Sequence, residues 1–187
     1  MAARSNSIDP RAERVRAKLR DAALALVHER PVDHLTVGDI VERAGVSRQV
    51  FYQHFSDRDD AIAHAFTAAF ASATADIAGD PRARIMALFD FAAEHRAMYR
   101  NVVPSAVTLP VVAAFRAELT PACYQIAAAA DIAGPTTESV SRFLVGGFVE
   151  VLRSWMEDQD AIDLRGRVSA ALDTVGTLLG LSAAATR

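Results

Sequence analysis

Between positions 47 and 54 the chain reads Ser-Arg-Gln-Val-Phe-Tyr-Gln-His. Ser47, Arg48, Gln49, Tyr52, Gln53 and His54 can all donate hydrogen bonds, and no carboxylate stands among them. On a helix opening at Arg48, Val50, Phe51 and Phe55 fall towards one side and the donors towards the other. Solvated helix faces usually mix in Asp or Glu, so an acid-free donor face is what a polyanion-facing surface needs. Other chemistries find less support. His28, His34, His64 and His95 lack metal-ligand spacing, and Asp158, Asp160 and Asp163 lack the glycine and closing glutamate of a calcium loop. No nucleophile–base pair stands out, so no enzyme activity, metal or cofactor is expected. The lone Cys123 has no neighbouring cation and reads as a small buried hydrophobe.

The elements that must hold this face are legible from their ends. Asp9 and Pro10 open a helix that Pro31 closes, giving a first helix over about 10–29. Thr36 with Asp39 forms a capping-box variant for a second helix, which stops at Gly45. Ser47 caps a third, over 48–55, and Asp57 a fourth, running towards Ile77 before Gly79-Asp80-Pro81. Beyond these the pattern predicts helices over about 82–100, 111–119, 122–132 and 136–158, and a last one from Asp163, nine in all. Two short helices joined by Gly45-Val46-Ser47 are a helix-turn-helix candidate, with Val37, Ile40, Val41, Ala44 and Val46 facing Val50, Phe51 and Phe55. The same unit also occurs inside helical bundles that touch no nucleic acid. Spacing alone leaves open a helical small-molecule-binding or catalytic bundle in which the helix-turn-helix is incidental.

Composition sets the class. Of 187 residues, 51% are hydrophobic and 23% charged, enough for a sizeable core. Thirty-eight alanines against nine glycines and seven prolines predict an all-α fold. No uncharged stretch is long enough to span a bilayer, and the first twenty residues lack the apolar core of a secretory signal, so a cytoplasmic protein is expected. Net charge is −3, so any binding of phosphate must be local. Residues 1–20 do carry six basic groups against two acidic ones, and an arm over 1–9 is either a source of non-specific phosphate contacts or a solvated tail.

The run Thr36-Val-Gly-Asp-Ile-Val-Glu-Arg-Ala-Gly-Val-Ser-Arg-Gln-Val-Phe-Tyr-Gln-His-Phe-Ser-Asp-Arg-Asp-Asp60 resembles the N-terminal signature of the TetR (tetracycline-repressor-like) family of bacterial transcription regulators. Ala44-Gly45-Val46-Ser47, the Phe51-Tyr52-x-His54-Phe55 run and Asp57 followed by a basic residue carry the likeness, which is close over about residues 12–62. It implies a helix-turn-helix domain over 1–62 and an effector-binding and dimerisation domain over 63–187. It further implies that Thr36 lies at the DNA backbone, that Ser47 belongs to the DNA-binding set, and that Arg48 and Gln49 lie where the family reads bases, Arg suiting guanine and Gln adenine. Tyr52 and His54 resemble the backbone-contacting pair, and Arg58 stands where the family most often has lysine aimed at a phosphate. Gln49 and Val50 depart from the small residue and threonine common there. Val50 either touches a thymine methyl or belongs to the core.

For the C-terminal part the resemblance implies a pocket and a subunit interface. Phe66, Phe70, Met86, Phe89, Tyr99, Phe115, Tyr124 and Phe143 are the pocket candidates, suiting an apolar or aromatic effector, although such residues are more often plain core. Gly146, Gly147, Gly176 and Gly180 read as costly residues within helices that let axes approach closely, either between subunits or inside one. With Leu152, Trp155, Val175 and Leu179 they are the interface candidates. A homodimer bound to a near-palindromic DNA operator, acting as a repressor released by its effector, is the expectation that follows.

Overall fold

The computed structural model describes residues 9–103, 105–130, 134–158 and 163–181. The first eight residues, and so nearly all of the basic arm, lie outside them. Among the described residues there are nine α-helices, one 3-10 turn and no strand. The chain forms two compact units.

The first unit takes residues 1–68 and 97–110. Helix α1 (Pro10–Glu29) starts where Asp9 accepts the N–H of Arg11 at 2.9 Å, with Pro10 in the first turn, where an N–H has no partner to lose. It buries Leu19, Ala22, Ala23, Leu26 and Val27 and packs on α2 (Val37–Ala44). A 3-10 turn, Val32–His34, connects the two. Helix α3 (Arg48–Phe51) follows, and then the first part of α4 (Arg58–Thr74). Ile40, Phe51, Phe55, Ile62 and Phe66 are fully or almost fully buried and form the centre of the unit. Helix α6 (Arg96–Val102) adds Met98, Tyr99 and Val102 to this core, and Asn101 donates to the carbonyl of Val27 at 2.7 Å.

The second unit takes residues 69–96 and 111–187. Within it, α5 (Pro81–Glu94) packs on α9 (Leu164–Leu178), and α9 on α8 (Thr137–Glu157). An aromatic chain runs through its core. Phe70 meets Phe91 and Phe115, Phe115 meets Phe89, and Phe89 meets Phe148, at centroid separations of 5.3 to 6.1 Å and mostly edge to face. Cys123 is fully buried, and burial pushes its thiol up to about 12, which leaves it an inert hydrophobe.

Two element boundaries differ from the sequence expectation. The helix expected over 82–100 is two helices, α5 and α6, parted at His95. His95 leaves helical geometry, its ring 4.2 Å from that of Phe91, while Arg96 lies 4.4 Å over Trp155 and donates to the Trp155 and Asp158 carbonyls. The Arg96 anchors are tertiary, and no breaker residue announces them. Conversely, the helices expected over 111–119 and 122–132 are one helix, α7 (Thr108–Ala129), with Pro121 inside it. Pro110 falls in its first turn. An interior proline costs about 3 kcal/mol, which burial of Leu119, Ala122, Cys123, Ile126 and Ala127 along the same face offsets.

Candidate nucleic-acid interface

The helix-turn-helix is built by short-range caps. Thr36 Oγ1 accepts the Asp39 N–H at 3.2 Å, and the Asp39 carboxylate accepts both the Thr36 N–H at 2.8 Å and the Thr36 hydroxyl at 2.7 Å. Arg30 adds an ion pair to Asp39 at 2.6 Å. The Thr36 hydroxyl, the Arg30 guanidinium and the Thr36 N–H hold the Asp39 carboxyl down at about 2. A folded value below the usual 3.8 means that the carboxylate stabilises the fold above about pH 4, and that the contribution fades as pH falls towards 2. We expect melting temperature to drop between pH 4 and pH 2 less in Asp39→Asn than in the parent, measured by circular dichroism.

Helix α2 ends where Gly45 adopts φ 66°, a left-handed conformation that an L side chain strains to reach, and Val46 N–H then returns to the Val41 carbonyl. Ser47 Oγ accepts the Val50 N–H at 3.3 Å and starts α3. Regular helix lasts only to Phe51, shorter than the expected 48–55. Bonds from Gln53 to Val50 and from His54 to Phe51 tighten the segment into turns up to Phe55. A fork from Arg43 to Glu29, at 2.8 and 2.9 Å, ties α2 to the end of α1, lowering the carboxyl and raising the guanidinium.

Ser47, Arg48, Gln49, Tyr52 and Gln53 are exposed together, Tyr52 at 59%, whereas Phe51 and Phe55 are buried. His54 and Val50 are half-buried. The outward face therefore carries donors and no acid. Thr36 is exposed too, but its hydroxyl and its N–H both bond Asp39.

Arg58 is placed differently from the expectation of a phosphate contact. Its Nη1 donates to the carbonyls of Val32 and Leu35, each at 2.9 Å, and its Nε to Asp59 at 2.7 Å. It clamps the connector between α1 and α2 onto α4: the Leu35 carbonyl, just past the 3-10 turn, has no backbone donor among the described residues, and the Val32 carbonyl gains a second donor beside the Leu35 N–H. Sequence reasoning also missed Gly38. A Cβ built there would lie 3.1 Å from Arg48 Nη2 and 3.2 Å from Thr36 Oγ1. A glycine in the first turn of a two-turn helix was the available signal.

Of the other candidates, Phe66 and Tyr99 lie in the core of the first unit and Phe70, Phe89 and Phe115 in that of the second, while Met86 is half-buried. Tyr124 and Phe143 are 52% and 76% exposed. Leu152 and Trp155, expected at a subunit interface, face the interior of their own unit at 8% and 2% exposure. Gly180 is not within a helix. It follows the end of α9 at φ 68° and terminates it. Gly146 and Gly147 are in α8, and a Cβ at either would meet nothing within 4 Å among the described residues. Val175, Gly176 and Leu179 are half-buried on α9. No helix among the described residues is long and apolar enough to cross a membrane, and no cluster of three metal-ligating side chains occurs among them.

Residues 19–65 match the family described as bacterial regulatory proteins, tetR family. No curated protein matches the chain by sequence. Among solved structures, the chain is similar to the dihydroxyacetone kinase operon activator DhaS, with 15% identity over 89% of this chain and 97% of that one and a TM-score of 0.68. It is similar to a TetR transcriptional regulator from Streptococcus agalactiae 2603V, with 16% identity, coverage of 89% and 96% and a TM-score of 0.66. It is similar also to SmeT, solved as a triclosan complex, with 20% identity, coverage of 88% and 91% and a TM-score of 0.59. Residues 19–65 thus carry the helix-turn-helix segment of the family of bacterial regulatory proteins, tetR family, and the chain shares its all-α fold with the solved structures named above.

Proposed function

We propose that this protein is a dimeric, sequence-specific DNA-binding transcriptional repressor, released by a small apolar or aromatic effector. The observation that carries the reading is the exposed, acid-free donor face of Ser47, Arg48, Gln49, Tyr52 and Gln53 at the start of a short helix held proud by its caps. Such a face enters a major groove, with Arg48 pairing guanine and Gln49 adenine. Residues 1–62 act as the DNA-binding domain and 63–187 as the effector and dimer domain. SmeT, similar in fold, was solved with triclosan, an apolar aromatic molecule, which favours an effector of that chemistry. The buried Tyr99 hydroxyl, with no hydrogen-bond partner among the described residues, is a donor that an effector can satisfy.

Selection from a random-sequence duplex library tests the reading. We expect enrichment of a near-palindromic site whose affinity falls steeply between 50 and 200 mM salt. Recovery of no preferred sequence overturns it.

Dimerisation is assigned to α8 and α9, where Phe143 and Leu178 are 76% and 75% exposed beside Gly146, Gly147, Val175 and Leu179. Small residues on an open face let a second copy approach closely. In sedimentation we expect twice the 20.1 kDa of one chain. Phe143→Glu is expected to give the single-chain mass and to lose most of the affinity for the selected site.

A further inference from the structure

We infer that Gly38 is a specificity-determining residue, which acts by seating the Arg48 guanidinium against the first turn of α2. The inference rests on the proposed reading of bases by Arg48. Arg48 is the first residue of α3, and its side chain reaches back so that Nη2 lies 3.1 Å from where a Cβ at position 38 would stand. Separations below about 3.4 Å are tighter than ordinary van der Waals contact, so the guanidinium occupies the space that the missing side chain leaves. Thr36 Oγ1 flanks the same space at 3.2 Å and is fixed there by its bonds to Asp39. The berth thus has one rigid wall, and its floor is bare backbone.

Two physical arguments give the berth a purpose. An exposed arginine samples many rotamers and loses that freedom when it binds, so a seat formed in advance raises the selectivity of the contact it makes. Glycine is also the poorest helix former after proline, and α2 has only eight residues. The fold alone would be better served by alanine here. Among the described residues, the atoms that a Cβ would crowd are the ends of two side chains, those of Arg48 and Thr36, and no backbone atom of another element requires glycine at 38. Asp39 next door does not hold Arg48, since its carboxylate is engaged by Thr36 and Arg30.

Gly38→Ala, Arg48→Ala and the double variant test this against a random-sequence duplex library and then against the selected duplex and its single-base variants. A bidentate arginine–guanine contact is worth roughly 5- to 150-fold in discrimination. We expect Arg48→Ala to abolish discrimination at one base pair of each half-site. Gly38→Ala is expected to reduce it about three- to tenfold at that same base pair, leaving preferences elsewhere unchanged and the melting temperature equal or higher. The double variant is expected to match Arg48→Ala. A Gly38→Ala profile identical to the parent's, a loss at a different base pair, or losses that add in the double variant would overturn the inference while leaving the DNA-binding reading intact. If the parent itself enriches no sequence, that reading fails first and the inference with it.

Discussion

Arg58→Ala is expected to lower the stability of the first unit by about 3–6 kcal/mol, because each hydrogen bond from a charged donor contributes roughly 1.5–3 kcal/mol and two such bonds to backbone carbonyls are lost. Both bonds run from Nη1 to carbonyls at the two ends of the connector's 3-10 turn, those of Val32 and Leu35, residues that are 0% and 2% exposed. The arginine side chain itself is only 24% exposed. Removing it orphans the Leu35 carbonyl, leaves the Val32 carbonyl with the Leu35 N–H alone, and frees the connector that sets the start of α2. Urea unfolding is the measurement, and a lower midpoint with an unchanged slope is the expected result. Arg58→Lys is expected to recover less than half of the loss, since an ammonium lacks the planar fork that serves Nη1 and Nε partners together. A residue that only touched phosphate would behave otherwise: its removal would leave the midpoint unchanged and lower the salt dependence of DNA binding by about one counterion.

Arg58 also marks where sequence reasoning stops. Its partners are backbone carbonyls 23 and 26 positions earlier, and a carbonyl leaves no trace in residue type. The caps are the opposite case. Asp9-Pro10, Thr36 with Asp39, Gly45 and Ser47 each act within a few residues of themselves, and each stands at the helix end that the sequence predicts. Where an end is set by tertiary anchors the pattern misleads. The chain parts into two helices at His95 because the next residue, Arg96, is held on Trp155, while Pro121 is carried inside α7 by a buried face. One expected helix is split and two are fused, so the expected and observed totals agree at nine among the described residues for offsetting reasons. In α8 both faces carry apolar residues, and spacing could not choose which faces the interior. Trp155 and Leu152 went inward, and Phe143 was left outside. The donor face of α3 was legible because it depends on residue type and on three-to-four spacing alone.

Phe51 and Tyr52 are neighbours with rings 5.3 Å apart, edge to face, yet their removal is expected to have opposite consequences. Phe51 is 0% exposed and also packs on Phe55 at 5.8 Å. Phe51→Ala is expected to cost about 3–5 kcal/mol, the usual range for emptying a buried aromatic site. Against a typical total of roughly 5–15 kcal/mol this leaves a marginal first unit. Tyr52 is 59% exposed, so Tyr52→Ala is expected to change stability by only about 0.5–1 kcal/mol. Under the proposed reading it removes a DNA contact and weakens binding about tenfold, the equivalent of one hydrogen bond. Melting with and without the selected duplex separates the two. A ligand that binds only the folded state raises stability by an amount set by its concentration relative to Kd. Duplex is therefore expected to raise the melting temperature of Phe51→Ala as far as that of the parent, because the outward face is intact whenever the unit is folded. For Tyr52→Ala the same duplex concentration is expected to give a visibly smaller rise from a nearly normal starting point. Equal rises in both variants would mean that Tyr52 stands at the surface for some purpose other than DNA.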